Sequence, residues 1–228
     1  MAFAGNIPMA AGLSSAMVGA SAEAAVAANV LAIEPQDFVD LCGEGVWYVG
    51  SRGGSGDHAA MKFGNRGNIA HLGFFPFRFE ALIPFPEGCK LGIANFFVKG
   101  EKTTNARDIF SGHIAAYEFA LFWLWEAFPH LKEKVKRTRD INPDIIGVKP
   151  SEIYRMLQKV PARETLAEIR AHLCAEYRER INQVAAIHEE PQAYDLRAVL
   201  LYRIAQCNRS KDAGALLQVG DIRAFGEL

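Results

Sequence analysis

The chain has 228 residues, 50% of them hydrophobic and 22% charged, so it carries enough apolar side chain for a real core, and general disorder is excluded. Its 25 Lys plus Arg balance 26 Asp plus Glu, for a net charge of −1, so no general field draws nucleic acid or anionic lipid, and neither is expected as a partner. Four cysteines, Cys42, Cys89, Cys174 and Cys207, occur without a C-x-x-C pair and read as reduced structural thiols of a cytoplasmic protein, not as a disulfide framework or zinc cage.

From Met1 to Ile33 the only charged side chain is Glu23, a length that invites a membrane reading. The segment is built from Ala, Gly, Ser and Asn, places Glu23 near its middle and lacks flanking Lys or Arg, so a buried soluble helix is expected instead. That helix is expected over about 14–32, ended by Pro35, with a second from Pro35 to Tyr48 that takes its proline in the first turn. A glycine-dense loop follows, Gly50-Ser51-Arg52-Gly53-Gly54-Ser55-Gly56-Asp57-His58, then a short helical piece. Three strands are expected at 68–74, 77–83 and 90–98, punctuated by Pro76, Pro84 and Pro86.

From Thr103 onward helical periodicity takes over, with helices expected at about 106–128, 151–158, 163–178 and 194–219 and loops at 140–144 and 149–150. No internal repeat is visible. Helices following strands predict an α+β architecture, divided at residues 1–102 and 103–228.

Two stretches carry chemistry. Ala11-Gly12-Leu13-Ser14-Ser15 opens directly into the small-residue helix, where unpaired N–H groups and the positive dipole end converge, so a phosphate has a seat without a cationic side chain. Ordinary capping uses the same residues. No Walker pattern or G-x-G-x-x-G is present. In the loop ending at Asp57, five of nine residues are glycine, which suits close approach of backbone to a ligand. Asp57 reads either as a general base or orienter of a hydroxyl nucleophile, or as the N-cap of the helix through Met61.

Together, the Pro-x-x-x-Gly-Leu-Ser-Ser run with its Ala-rich helix and the Tyr48-Val49-Gly50 … Gly54-x-x-Asp57 loop resemble the second motif and the catalytic-aspartate loop of the GHMP small-molecule kinases, in the galactokinase-like branch. Gly50 to Asp57 has that branch's spacing, with His58 where glutamine is usual. Leu216-Leu217-Gln218-Val219-Gly220-Asp221 with Phe225-Gly226-Glu227-Leu228 is similar to a helical segment of galactokinases. The resemblance spans most of the chain and is strongest over 5–75.

The resemblance implies a GHMP-like fold: an N-terminal mixed α/β lobe followed by a mostly helical part of a C-terminal lobe. It implies ATP-dependent phosphorylation of a sugar hydroxyl, with ATP and a small sugar as ligands. Ala11, Gly12, Leu13, Ser14 and Ser15 would cradle the phosphates, Asp57 would act on the hydroxyl, and Gly54, Ser55, Gly56 and His58 would form the substrate loop. Mg²⁺ would bridge the phosphates, with Glu44 the carboxylate nearest the family's acidic position. The serine that usually contacts magnesium is Ala16 here. The family's first motif, of the Arg-x-x-Leu-x-Gly-Glu-His type, and its glycine-rich third motif are not in the chain, so a fragment or shortened member, weak or inactive alone, is expected. The alternative is a non-catalytic nucleotide- or sugar-binding regulator derived from the same fold.

Other clusters read as structural. The basic run Lys132 to Arg139 reads as a solvated helix end. Phe74, Phe75, Phe77 and Phe79, then Phe119, Phe122, Trp123 and Trp125, read as core. His71, His113, His130, His172 and His188 lack metal-ligand spacing and are assigned no role.

Overall fold

A computed structural model describes residues 17–49, 54–74, 77–94 and 105–228. Helices and one small sheet make a mixed, α+β architecture. The chain divides into two compact units, Met1–Glu101 with Ala213–Leu228, and Lys102–Asp212.

In the first unit, α1 (Met17–Ala28), α2 (Pro35–Gly45) and α3 (Gly56–Phe63) precede β1 (Asn68–Gly73) and β2 (Arg78–Pro84). The expected run of helix to residue 32 stops at Ala28, well short of Pro35: the Asn29 side-chain amide donates to the Ala25 carbonyl at 2.8 Å, and Val30 turns left-handed at φ 52°. Nor is α1 a buried helix. Gly19 is buried, but from Ala25 onward the helix is half-buried or exposed, because one small-residue face suffices to meet its neighbours. Pro35 does take the first turn of α2, which ends at Gly45 and tightens into a 3₁₀ turn at Val46–Val49 instead of continuing as α-helix.

The strands β1 and β2 pair antiparallel from Asn68↔Pro84 to His71↔Ala81, then slip at a bulge so that Leu72 faces Phe79. Gly67, at φ 75°, turns the chain into β1 and accepts the Phe85 N–H at 2.8 Å. The third expected strand does not form over 90–94: that stretch has no ladder partner, and Leu91 and Ile93 lie 78% and 67% exposed. Residues 95–98 of the same expectation lie outside the described residues. Val39, Ala59 and Phe77 form this unit's core, and Phe63 stacks on Phe79 with centroids 5.0 Å apart.

The second unit contains α4 (Asn105–Ala127), α5 (Pro143–Ile146), α6 (Pro150–Leu157), α7 (Leu166–His172), α8 (Arg178–Ala185) and most of α9 (Leu196–Gln218); α10 (Ile222–Gly226) belongs to the first unit. Along α4, Ser111, Ala115, Phe119 and Phe122 recur every three or four residues, and all are buried. Ala115, Phe119 and Phe122 share one core with Leu157, Ile169, Ile181, Leu196 and Leu200. Phe122 stacks on Tyr177 at 4.7 Å, and Phe119 meets Tyr194 edge-on at 5.0 Å. Full burial of each such side chain stabilises by about 1.5–3 kcal/mol.

The single helix expected over 163–178 is two helices. Thr165 caps α7, its hydroxyl accepting from the Glu168 N–H at 3.2 Å, and Leu173 leaves the helical region at ψ 147°. The loop expected at 140–144 holds a 3₁₀ turn, Thr138–Asp140, and α5, capped by Asn142 accepting the Ile145 N–H at 3.0 Å. A repeat also emerges. Pro161, Glu164 and Leu166 return as Pro191, Tyr194 and Leu196, each pair in the same backbone state. The copies meet where Glu164 and Tyr194 exchange backbone hydrogen bonds, N–H to O at 3.1 and 2.7 Å, immediately before α7 and α9 begin.

Candidate functional site

The aspartate loop leads into α3, whose first turn is set by Ser55. Its hydroxyl makes no capping bond, while its carbonyl accepts the Ala59 N–H at 2.9 Å. Asp57 is therefore not the N-cap: it lies one residue inside the first turn, exposed, where the positive end of the helix favours a carboxylate. A carboxylate so placed is available to a hydroxyl arriving from solvent.

Its neighbour is placed oppositely. His58 is 3% exposed, and its Nδ1 has no hydrogen-bond partner among the described residues. Burial lowers its pKa and outweighs the opposing charge of Asp57, so the ring is held neutral. The ring faces α1 at Gly19: a Cβ there would stand 3.3 Å from Nδ1 and 3.4 Å from Met61 Cε. From the other side Gly43 of α2 meets the loop so closely that a Cβ would fall 2.4 Å from Ser55 Oγ. Two helices thus seat on the entry of α3 through residues without side chains. Lys62 of α3 reinforces the contact, pairing with Glu23 of α1 at 2.6 Å and lying 4.9 Å over the Phe38 ring of α2. Cys42, buried in α2, has its thiol pushed up by burial and by Glu23, against the effect of Lys62, which suits an inert structural thiol.

Of the sequence candidates, Ser55, Gly56, Asp57 and His58 come together at the start of α3, and Gly54 is exposed just before it. Glu44 is exposed on α2, next to the Gly43 contact. Ala11, Gly12, Leu13, Ser14 and Ser15, with Ala16, lie outside the described residues, as do the loop residues 50–53. Among the described residues no group of three or more His, Cys, Asp and Glu is arranged to hold a metal ion.

Other features in the second unit had no sequence signal. Glu164, 7% exposed, accepts the Trp123 indole N–H at 2.8 Å and lies 2.7 Å from His172 Nδ1. His188 is buried with its Nε2 2.9 Å from the Tyr194 hydroxyl. A cavity of about 570 Å³ opens beside that pair, lined in part by Asp108, Gly112 and His113 of α4 and by Glu189 and Glu190. The histidines assigned no role thus include two with buried partners. Of the basic run, Lys134, Lys136 and Arg137 are exposed as expected, Lys136 pairing with Glu133 at 2.9 Å, while Lys132, paired with Glu176, and Arg139 are half-buried. No described helix is long and apolar enough to cross a membrane. No family model matches the chain, and no curated protein matches it.

Proposed function

We propose that the chain is a cytoplasmic phosphotransferase of the GHMP type, moving the γ-phosphoryl group of ATP to a sugar hydroxyl. The observation that carries the reading is the exposed Asp57 in the first turn of α3, a turn that Gly43 of α2 meets at Ser55 and Gly19 of α1 meets at His58. Phosphoryl transfer asks for positioning and charge neutralisation more than for covalent chemistry. Asp57 accepts the proton of the attacking hydroxyl, or orients it, and its place in a clamped turn fixes the direction of attack. The neutral, buried His58 holds the turn without adding a second charge beside Asp57. Gly12, Ser14 and Ser15 carry the phosphates in this reading. Mg²⁺ would neutralise charge between the phosphates and needs only one or two protein carboxylates, and the exposed Glu44 beside the loop contact is the residue offered for it.

One observation favours a second reading. Ala16 stands where the family has a magnesium-contacting serine, which suits a regulator that binds nucleotide or sugar without turnover. Calorimetry of ATP with the chain and with Gly12→Val, alongside sugar-dependent ADP release by the chain and by Asp57→Asn, separates the two. A kinase binds ATP, loses binding in Gly12→Val, and loses turnover far more than ATP affinity in Asp57→Asn. A regulator binds without turnover. Absence of both ATP and sugar binding contradicts both readings.

A further inference from the structure

We infer that the cavity of the second unit binds a small organic ammonium ion, an amine carried on an apolar body. The inference is independent of the aspartate loop and rests on three properties of the cavity. The first is size: about 570 Å³ lies within the range of small-molecule sites. The second is its wall, where Ile109, Ala116 and Val199 present apolar surface, Ile109 being 62% exposed.

The third is charge of one sign. Asp108, Glu189, Glu190 and Asp195 line the cavity, and among the described residues no Lys or Arg does. Two of these are engaged: Asp108 Oδ1 accepts the Glu189 N–H at 3.4 Å, and Asp195 pairs with Arg163 at 3.3 Å. The Glu189 and Glu190 side chains make no ion pair among the described residues, and both are exposed. Burial, with the Glu190 charge second and against the opposing charge of Arg170, pushes the Tyr194 phenol up to about 12, so the floor stays a neutral phenol.

That floor is preformed. Tyr194 is fixed by the buried His188 at 2.9 Å and by Phe119 edge-on, and Gly112 lies over His188, where a Cβ would make only ordinary contact at 3.5 Å from Cδ2. A bare divalent cation would leave the apolar wall unused, and the four carboxylates are not grouped as metal ligands. An anion would meet repulsion. An ammonium group at the rim with an apolar body against the wall satisfies both surfaces without burying an unpaired charge.

The test titrates the intact ¹⁵N-labelled chain with phenethylamine and with its neutral isostere phenethyl alcohol, following amide shifts. The amine is expected to move the Gly112, His113 and Ala193 signals at millimolar concentration, to bind more tightly than the alcohol, and to weaken in high salt. Replacing Glu189 and Glu190 by Gln is expected to weaken the amine by about two- to fivefold per carboxylate, the size of an exposed ion pair, and to leave the alcohol unchanged. Gly112→Leu should fill the floor and abolish binding; the Gln variants, on exposed sites, keep the test valid if that chain misfolds. Equal binding of amine and alcohol, an amine indifferent to both Gln substitutions, shifts confined to other residues, or no binding at all would each overturn the inference.

Discussion

Replacing Glu164 by Ala removes the buried carboxylate that Trp123 and His172 share in the second unit. Glu164 is 7% exposed, and its Oε2 receives the Trp123 indole N–H at 2.8 Å. In the alanine variant that half-buried indole has no partner, at a cost of about 1–3 kcal/mol. The loss of His172, 2.7 Å from Oε1, adds less: its side chain is 53% exposed, so solvent screening limits that pair to about 0–1 kcal/mol. The backbone bridge to Tyr194 uses main-chain atoms and survives. The expected total is about 1–3 kcal/mol, since relieving a buried carboxylate of its desolvation offsets part of the loss. Glu164→Gln keeps an acceptor for Trp123 and is expected to cost about 1 kcal/mol. Urea denaturation followed by tryptophan fluorescence and by circular dichroism reads both variants. If Ala costs no more than Gln, or less than about 0.5 kcal/mol, the network is ornamental to stability and the reasoning fails.

Three further outcomes are expected. Because burial lowers the His58 pKa, the unfolded chain binds a proton more readily than the folded one below the ordinary value of 6.5, so this group's stability contribution is whole above 6.5 and falls away as pH drops toward the lowered folded value. His58→Gln should flatten that acid-side loss relative to wild type in paired melts, and an identical pH slope in the two chains would refute it. In a spectrophotometric titration Tyr194 should ionise last, near 12, and Tyr194→Phe should remove that final phase; if the phase persists, the assignment is wrong. Gly43→Ala gains about 1 kcal/mol in helix propensity but must displace Ser55, costing about 1–3 kcal/mol. It should therefore destabilise the wild type yet stabilise a Ser55→Gly background, and the same gain in both would show that the contact is loose.

Much of the fold was legible where period and punctuation agree. Pro35 opens α2, the three- and four-residue spacing through Phe119 marks α4, and the alternation after Asn68 marks the hairpin. Misreadings arose where a buried stripe outlives its helix. Leu166, Ile169, Leu173, Tyr177, Ile181 and Val184 are all buried at helical spacing, so the period runs unbroken through the extended Leu173 that separates α7 from α8. Residues 90–94 had strand-like composition, but a strand is made by a ladder partner, which composition does not supply. The repeat was hidden because its copies share little beyond Pro161/Pro191 and Leu166/Leu196, while their pairing is a backbone event. At the candidate site, Asp57 and His58 were visible as residue types. Gly19 and Gly43 were not, because a glycine that admits a neighbour looks in sequence like any other glycine in a helix.

The most direct test of the central claim follows the phosphoryl group itself. With the chain in excess over γ-³²P-ATP, in Mg²⁺ and a panel of monosaccharides, label should pass to one sugar as an alkali-stable phosphate monoester, even if slowly. Asp57→Asn should reduce that transfer by about 10²-fold or more while ATP remains bound. Label released only as inorganic phosphate, no sugar labelled at all, or the same rate in Asp57→Asn would contradict the account.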